Sequence, residues 1–294
     1  MPAHGEVRIG ISGWRYKGWR GKFYPPKLPQ KSELAYAASK FRTIEINGTF
    51  YSLQSPASFA RWAAATPEDF QFAVKGSRYI THKLRVRDAK IALANYFASG
   101  LLLLGRKLGP ILWQFPPNFV FKPELLEEFF ALLPRNSEDA LKLARKHTRV
   151  VRGGRGLKVP GEFRLRHAIE IRHQSFRAPE FIRLLRRQKI ALVCADSIEW
   201  PRLMDLTADF VYVRLHGSEQ LYASGYDEKS LEVWARRVAR WARGSEPPDA
   251  EKIVPSPAPK RAKRDVYVYF DNDAKVRAPA DAASLAAKVG KLLR

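Results

Sequence analysis

The sequence predicts an α/β fold, a (β/α)8 barrel of the TIM type, formed as a single domain over residues 1–294. Three observations carry that expectation. Short runs rich in β-branched and aromatic residues alternate with stretches of helical periodicity, the pattern of βα units around a parallel sheet. About eight such runs occur, the number a closed barrel needs. Within most of them the polar residues keep one parity, as happens when one strand face packs on helices and the other looks into a barrel.

The elements follow in order. Residues 7–12 form the first run. A loop mixing aromatics with cations leads from it to a helix over 32–41, with Ser32 a candidate N-cap. The run 43–47 precedes a helix over 56–65, where Pro56 behind Ser55 suits a first helical turn. Residues 70–75 precede a long helical stretch, 87–104. Residues 111–115 precede a helix over 123–133, and 167–173 one over 179–188. The run 190–196 opens the weakest unit, because 197–209 holds a proline and little periodicity. Runs 210–216 and 266–271, with helices over 228–243 and 282–293, complete the barrel. Two stretches read as basic insertions, 135–166 around Gly153-Gly154-Arg155-Gly156, and 244–264 ending Lys260-Arg261-Ala262-Lys263-Arg264. Both are expected as solvated loops, with a phosphate-binding arm as the alternative.

Parity locates the polar site. Ile44 and Ile46 oppose Glu45 and Asn47, and Phe72 and Val74 oppose Ala73 and Lys75. Trp113 and Phe115 oppose Gln114. Ile169 and Ile171 oppose Glu170 and Arg172. Val213 and Leu215 oppose Tyr212, Arg214 and His216, and Val268 and Phe270 oppose Tyr269 and Asp271. Ser12 and Asp196 close the first and sixth runs. Charges inside a barrel are costly unless paired, and these fall at the strands' C-terminal ends, where barrel enzymes keep their chemistry. An ion-pair network that only plugs the barrel is the competing expectation.

Composition narrows the partners. The net charge is +23, which attracts polyanions at long range, so an anionic small molecule or nucleic acid is expected. No apolar run approaches the roughly 18 residues of a membrane span. The opening Met1-Pro2-Ala3-His4 lacks the pattern of a signal peptide. With one cysteine, Cys194, no intrachain disulfide can form, and a reducing cytoplasm is expected. Cys194 sits in an apolar strand and is expected to be structural.

Ordered along the chain stand Ile9-Gly10-Ile11-Ser12-Gly13-Trp14, Phe23-Tyr24-Pro25, Glu45-Ile46-Asn47-Gly48-Thr49-Phe50-Tyr51, Phe72-Ala73-Val74-Lys75 and Ile80-Thr81-His82. Gln114-Phe115-Pro116-Pro117, Glu170-Ile171-Arg172-His173, Arg214-Leu215-His216-Gly217 and Tyr269-Phe270-Asp271-Asn272-Asp273 follow. In these segments the chain resembles the YecE-like proteins, domain-of-unknown-function family 72, over nearly its whole length. The resemblance implies a TIM barrel and supplies no reaction. Two positions depart from the family's pattern, which carries asparagine where this chain has Asp271 and Asp281.

Candidate roles follow from the residue types. Glu45, Lys75, Glu170 and His216 form an acid/base set. Glu170, Asp196, His216 and Asp271 are the candidate ligands of a divalent metal, with mixed oxygen and nitrogen donors suited to Mn, Mg or Zn. Arg172, Arg214, Gly217 and Asn272 are the candidate anion site after the late strands. Asn47, Gln114, Trp14, Tyr222 and Tyr226 complete the substrate surface, and the aromatic first loop could stack bases or sugars. The expected function is a barrel hydrolase or isomerase acting on a phosphate- or sugar-containing substrate, possibly within nucleic acid. The alternative is a nucleic-acid-binding protein without catalysis.

Overall fold

The computed structural model, which describes residues 3–148, 157–217, 224–272 and 276–294, closes eight parallel strands into a barrel in chain order. They are β1 Val7–Ser12, β2 Thr43–Ile46, β3 Gln71–Lys75, β4 Leu108–Gln114, β5 His167–Glu170, β6 Ala191–Asp196, β7 Phe210–Leu215 and β8 Asp265–Phe270. Strand β8 pairs back on β1, with Ile9 beside Val268. Helices α1 Glu33–Lys40, α2 Gly48–Tyr51, α3 Pro56–Ala64, α4 Lys90–Ala98 and α5 Pro123–Ala131 lie between the early strands. Helices α6 Ser137–Ala144, α7 Pro179–Gln188, α8 Glu228–Ala242 and α9 Ala278–Leu292 follow. No helix among the described residues is long and apolar enough to cross a membrane.

The strand cores match the sequence pattern, but several expected runs extend past the last paired residue, so Asn47, Arg172, His216 and Asp271 stand just above the barrel rim. The expected helix over 87–104 divides, because Gly100 at φ 111° ends it and a 3-10 segment, Leu101–Lys107, follows. Ser32 does not cap α1, its side chain making no cap bond. Ser55 does cap α3, accepting from the Ser58 amide at 3.3 Å with Pro56 in the first turn.

Among the described residues, parts of both basic insertions are tied to the rest of the chain. In the first, Asn136 caps α6 by accepting from the Asp139 amide at 2.8 Å. The backbone pairs Ser137 with Phe163 and Leu165 with Arg135 draw its two ends together. Its glycine-rich centre lies outside the described residues. The second has neither helix nor strand, yet the Asp205 carboxylate accepts from the Ile253 and Val254 amides at 2.8 and 3.0 Å.

Two apolar layers hold the barrel. Outward residues such as Ile44, Val74, Trp113, Ile169 and Val213 join the core under the helices. Inside, Ala73, Leu112, Ala168, Val193, Ala195, Phe210, Tyr212, Tyr267 and Tyr269 form a separate cluster. Large rings from β7 and β8 fill space that alanines on β3, β5 and β6 leave, the size complementarity a close-packed interior requires. The buried tyrosines keep hydrogen bonds, Tyr269 to Thr43 Oγ1 at 2.7 Å and Tyr267 to Gln71 Oε1 at 2.7 Å. Above this apolar plug the inward positions turn polar.

Candidate active site

Arg214, inward on β7 and fully buried, is the hub of the mouth. Its Nε and Nη2 donate to the two Glu45 carboxylate oxygens at 3.1 and 2.9 Å. Nη1 donates to Glu170 Oε2 at 2.7 Å, and Nη2 also reaches Asp271 Oδ2 at 2.7 Å. Ser12 and Tyr212 donate further bonds to Glu45, at 2.9 and 2.6 Å. Arg172 Nε donates to Glu170 Oε1 at 2.9 Å, and its guanidinium stacks on Trp200, 3.6 Å from the ring centroid. His216 Nδ1 lies 3.3 Å from Asp271 Oδ2, with its ring edge-on to Trp200.

Burial sets the electrostatics, and pairing decides the outcome. Burial opposes ionisation of Glu170, but Arg214 and Arg172 outweigh it and hold the carboxyl well below the usual range. Burial likewise opposes ionisation of Asp271, and Arg214 and His216 bring it down to about 2. Three carboxylates thus face two guanidiniums.

Lys75 ends β3 in the same layer, yet no hydrogen bond or ion pair joins its ammonium to any described residue. Its Nζ lies 4.4 Å from the centroid of the Phe50 ring. Burial, with repulsion from Arg214, lowers the amine to about 8 against the pull of Glu45, Asp271 and Glu170. Its backbone is fixed, since the carbonyl accepts from Thr49 Oγ1 at 2.7 Å. The next residue, Gly76, packs so closely under Trp113 that a Cβ there would lie 2.2 Å from the indole. Trp113 in turn donates to His167 Nδ1 at 3.1 Å, and His167 Nε2 bonds the Pro134 carbonyl at 2.7 Å.

Lys75 and Asp271 reach a cavity of about 570 Å³ at the β1–β3 side of the mouth. Trp14, Tyr51 and Trp62 wall it, Asn47 and Gln54 supply amides, and the exposed Arg15 stands at its edge. The Asn47 Oδ1 is buried and without a partner among the described residues.

Other expected site residues lie elsewhere. On β6 the inward positions are Ala191, Val193 and Ala195, so Asp196 faces the helix layer, bonded to Arg202 at 3.1 Å and to the Tyr226 hydroxyl at 2.9 Å. Tyr226 also accepts from the Gly217 amide at 3.2 Å, and Gly217 adopts φ 112°. Asn272 donates to Asp281 Oδ2 and the Ser224 carbonyl and holds loops together away from the cavity. Gln114 is buried in the polar layer, its Oε1 without a partner among the described residues. Tyr222 lies outside the described residues. Cys194 is buried on the outer face of β6, where burial pushes the thiol up.

No group of three His, Cys, Asp or Glu among the described residues is placed to hold a metal ion. The arrangement gives the reason. The Arg214 guanidinium takes the centre that Glu45, Glu170 and Asp271 would present to a cation, and Asp196 is on the wrong face. In the first loop, Trp19 and Tyr24 are buried against Phe23 and Tyr36 rather than offered for stacking, while Lys17, Arg20 and Lys22 are exposed.

His82 was not among the expected site residues. A π-helical turn, Tyr79–Lys83, carries it to the mouth, where its ring meets Phe50 edge-on at 5.1 Å. Burial, then Arg172 and Lys75, lower it to about 4, so it is neutral at physiological pH. Its position in Ile80-Thr81-His82 was the only sequence signal.

The family model described as "Protein of unknown function DUF72" matches residues 8–293. The chain is similar to the UPF0759 protein YunF of Bacillus subtilis, 34% identical over 123 residues that span 40% of this chain and 43% of that protein. It is 24% identical to the UPF0759 protein YecE of Escherichia coli K12 over 82% of this chain and 84% of that one. Among solved structures, a DUF72 family protein from Thermotoga maritima superposes with a TM-score of 0.71 at 25% identity, covering 97% of this chain and 99% of the other.

Proposed function

This chain belongs to the DUF72 family of proteins of unknown function, and from that premise we propose that it is an enzyme acting on a sugar- or phosphate-containing small molecule in the β1–β3 cavity. One observation carries this reading: a buried lysine, lowered to about 8 and tied to no carboxylate among the described residues, opens on a cavity it shares with Asp271. A base works best when its basicity lies near the operating pH. Neutral Lys75 accepts a proton from the substrate, and its ammonium returns one, which is the chemistry of an isomerase or hydrolase.

The cavity walls support the substrate class. Aromatic faces from Trp14, Trp62 and Tyr51 suit the C–H faces of a sugar, and Asn47 and Gln54 suit its hydroxyls. Arg15 and Lys75 suit an anionic group. A calorimetric or thermal-shift panel of sugars and sugar phosphates tests the proposal. A member of the panel raises the midpoint of wild type with concentration, and Lys75→Met removes the shift. A shift that Lys75→Met leaves unchanged, or none across the panel, overturns it.

The second reading, nucleic-acid binding without catalysis, is supported by the net charge of +23 and the exposed cations of the first loop. Its base-stacking component has lost Trp19 and Tyr24. What remains is phosphate attraction, so affinity should fall steeply with salt and ignore sequence. Fluorescence anisotropy with a labelled duplex at 50 and 200 mM salt decides; a flat response excludes this reading.

A further inference from the structure

We propose that Lys75 captures an aldehyde or ketone as an iminium, so that the substrate is a carbonyl compound bearing hydroxyl or phosphate groups, such as the open chain of a sugar or sugar phosphate. This deepens the preceding reading and rests on it.

A lysine that forms an iminium needs an amine free to lose its proton, a dry wall, and a charge environment that accepts the cationic product. Each is present at the end of β3. The carboxylates of the mouth are engaged by Arg214 and Arg172, so none anchors Lys75 Nζ. Phe50 forms one wall, with the Lys75 amine 4.4 Å from its ring centroid and the His82 ring against the same phenyl group. The backbone of Lys75 is held by Thr49 and by the Gly76–Trp113 contact, which fixes where its side chain starts. The cationic Arg214 nearby favours the neutral amine, the second of the two ways a lysine is made nucleophilic.

The charge count favours the product as well. Glu45, Glu170 and Asp271 bring three negative charges, and Arg214 and Arg172 offset two. The iminium carries the same single positive charge as the Lys75 ammonium it replaces, so forming it leaves the charge of this layer unchanged.

The Nζ lone pair forms a bond to the carbonyl carbon, and the C=O π pair moves to oxygen. One proton passes from nitrogen to that oxygen, giving a carbinolamine. A second proton, from solvent, protonates the hydroxyl. Water leaves with the C–O bonding pair while the nitrogen lone pair forms C=N. No redox partner is consumed.

The test is reductive trapping on the full chain. Wild type and Lys75→Met are incubated with glyceraldehyde, glyceraldehyde 3-phosphate, dihydroxyacetone phosphate or pyruvate and sodium cyanoborohydride, then mapped by peptide mass spectrometry. Lys75 should be modified at least tenfold faster than any other lysine with one or more probes, and its rate should rise with pH with a midpoint near 8. Adducts spread over surface lysines without that preference, or a Lys75 rate that follows an ordinary lysine's pH profile, overturn the proposal. A second measurement, labelling of wild type by trinitrobenzenesulfonate across pH, reads the Lys75 amine even if Lys75→Met folds poorly. Failed trapping alongside Lys75-dependent sugar-phosphate binding removes the iminium and leaves the acid/base reading. Absence of both removes the two together.

Discussion

Arg214 and Lys75 enter the same layer of the barrel, from β7 and from β3, and meet opposite fates. Removing each cation from water costs several kcal/mol. For Arg214 that cost is offset by Glu45, Glu170 and Asp271, which hold its guanidinium from three sides. For Lys75 it is offset only at a distance, and the remainder appears as a weakened hold on its proton. One buried charge is therefore part of the framework, and the other, in the function proposed above, is available for chemistry. Pairing, not burial, separates the two.

The largest effect that could break this comparison is that of Arg214→Met. It leaves three buried carboxylates without their shared cation, and unfolding free energy should fall by at least about 3–5 kcal/mol. Urea denaturation reads this directly, and a change below about 1 kcal/mol would place Arg214 outside the framework. Next comes Glu170→Gln, which keeps shape and removes one acid from between Arg214 and Arg172. A loss near about 3 kcal/mol is expected, larger in stability than in any cavity binding. The reverse result, a normal midpoint with activity reduced on the order of 100-fold, would make Glu170 a catalytic acid or base.

The pH dependence sharpens the comparison on both sides. Glu170 and Asp271 are lowered in the folded state, so their stabilising contribution is complete above the ordinary values of 4.5 and 3.8 and is lost as the pH falls below them. Lys75 is also lowered, but it is a base. Between pH 8 and 10.5 the unfolded chain binds the extra proton, so wild type should gain stability with rising pH relative to Lys75→Met. Urea midpoints of both proteins across pH 3–10.5 check the two slopes. The smallest effect is that of Lys75→Met at pH 7, within about 1 kcal/mol of wild type; a loss as large as that of Arg214→Met would mean that Lys75 is framework too.

Much of the mouth was legible because strand parity is a strict rule. Glu45, Glu170, Tyr212 and Arg214 read as inward from their apolar neighbours, and they are. Asp196 failed because it was placed by its position at a strand end rather than by the phase of Val193 and Ala195, small apolar residues that face the interior. Which cation would pair and which would not was invisible, since it depends on contacts between strands far apart in sequence. His82 arrives on a π-helical turn followed by positive φ at Arg85, Val86 and Asp88, a backbone path with no periodic signature. The helix inside 135–166 was hidden by the surrounding charge, though Asn136 and the acids Glu138 and Asp139 mark its start.

Gly76 has a consequence for how this protein can be tuned. The indole pressed against it belongs to the outer face of β4, and that indole is held by a histidine on β5, itself tied to the Pro134 carbonyl ahead of α6. Sub-ångström changes in this chain of contacts would shift the end of β3 and with it the reach of the amine, to which reaction rates are steeply sensitive. Adjustment of the proposed reactive amine is thereby open to substitutions at Trp113 and His167, positions behind the sheet that do not line the cavity. Variation that looks remote from the chemistry would be the variation that sets its pace.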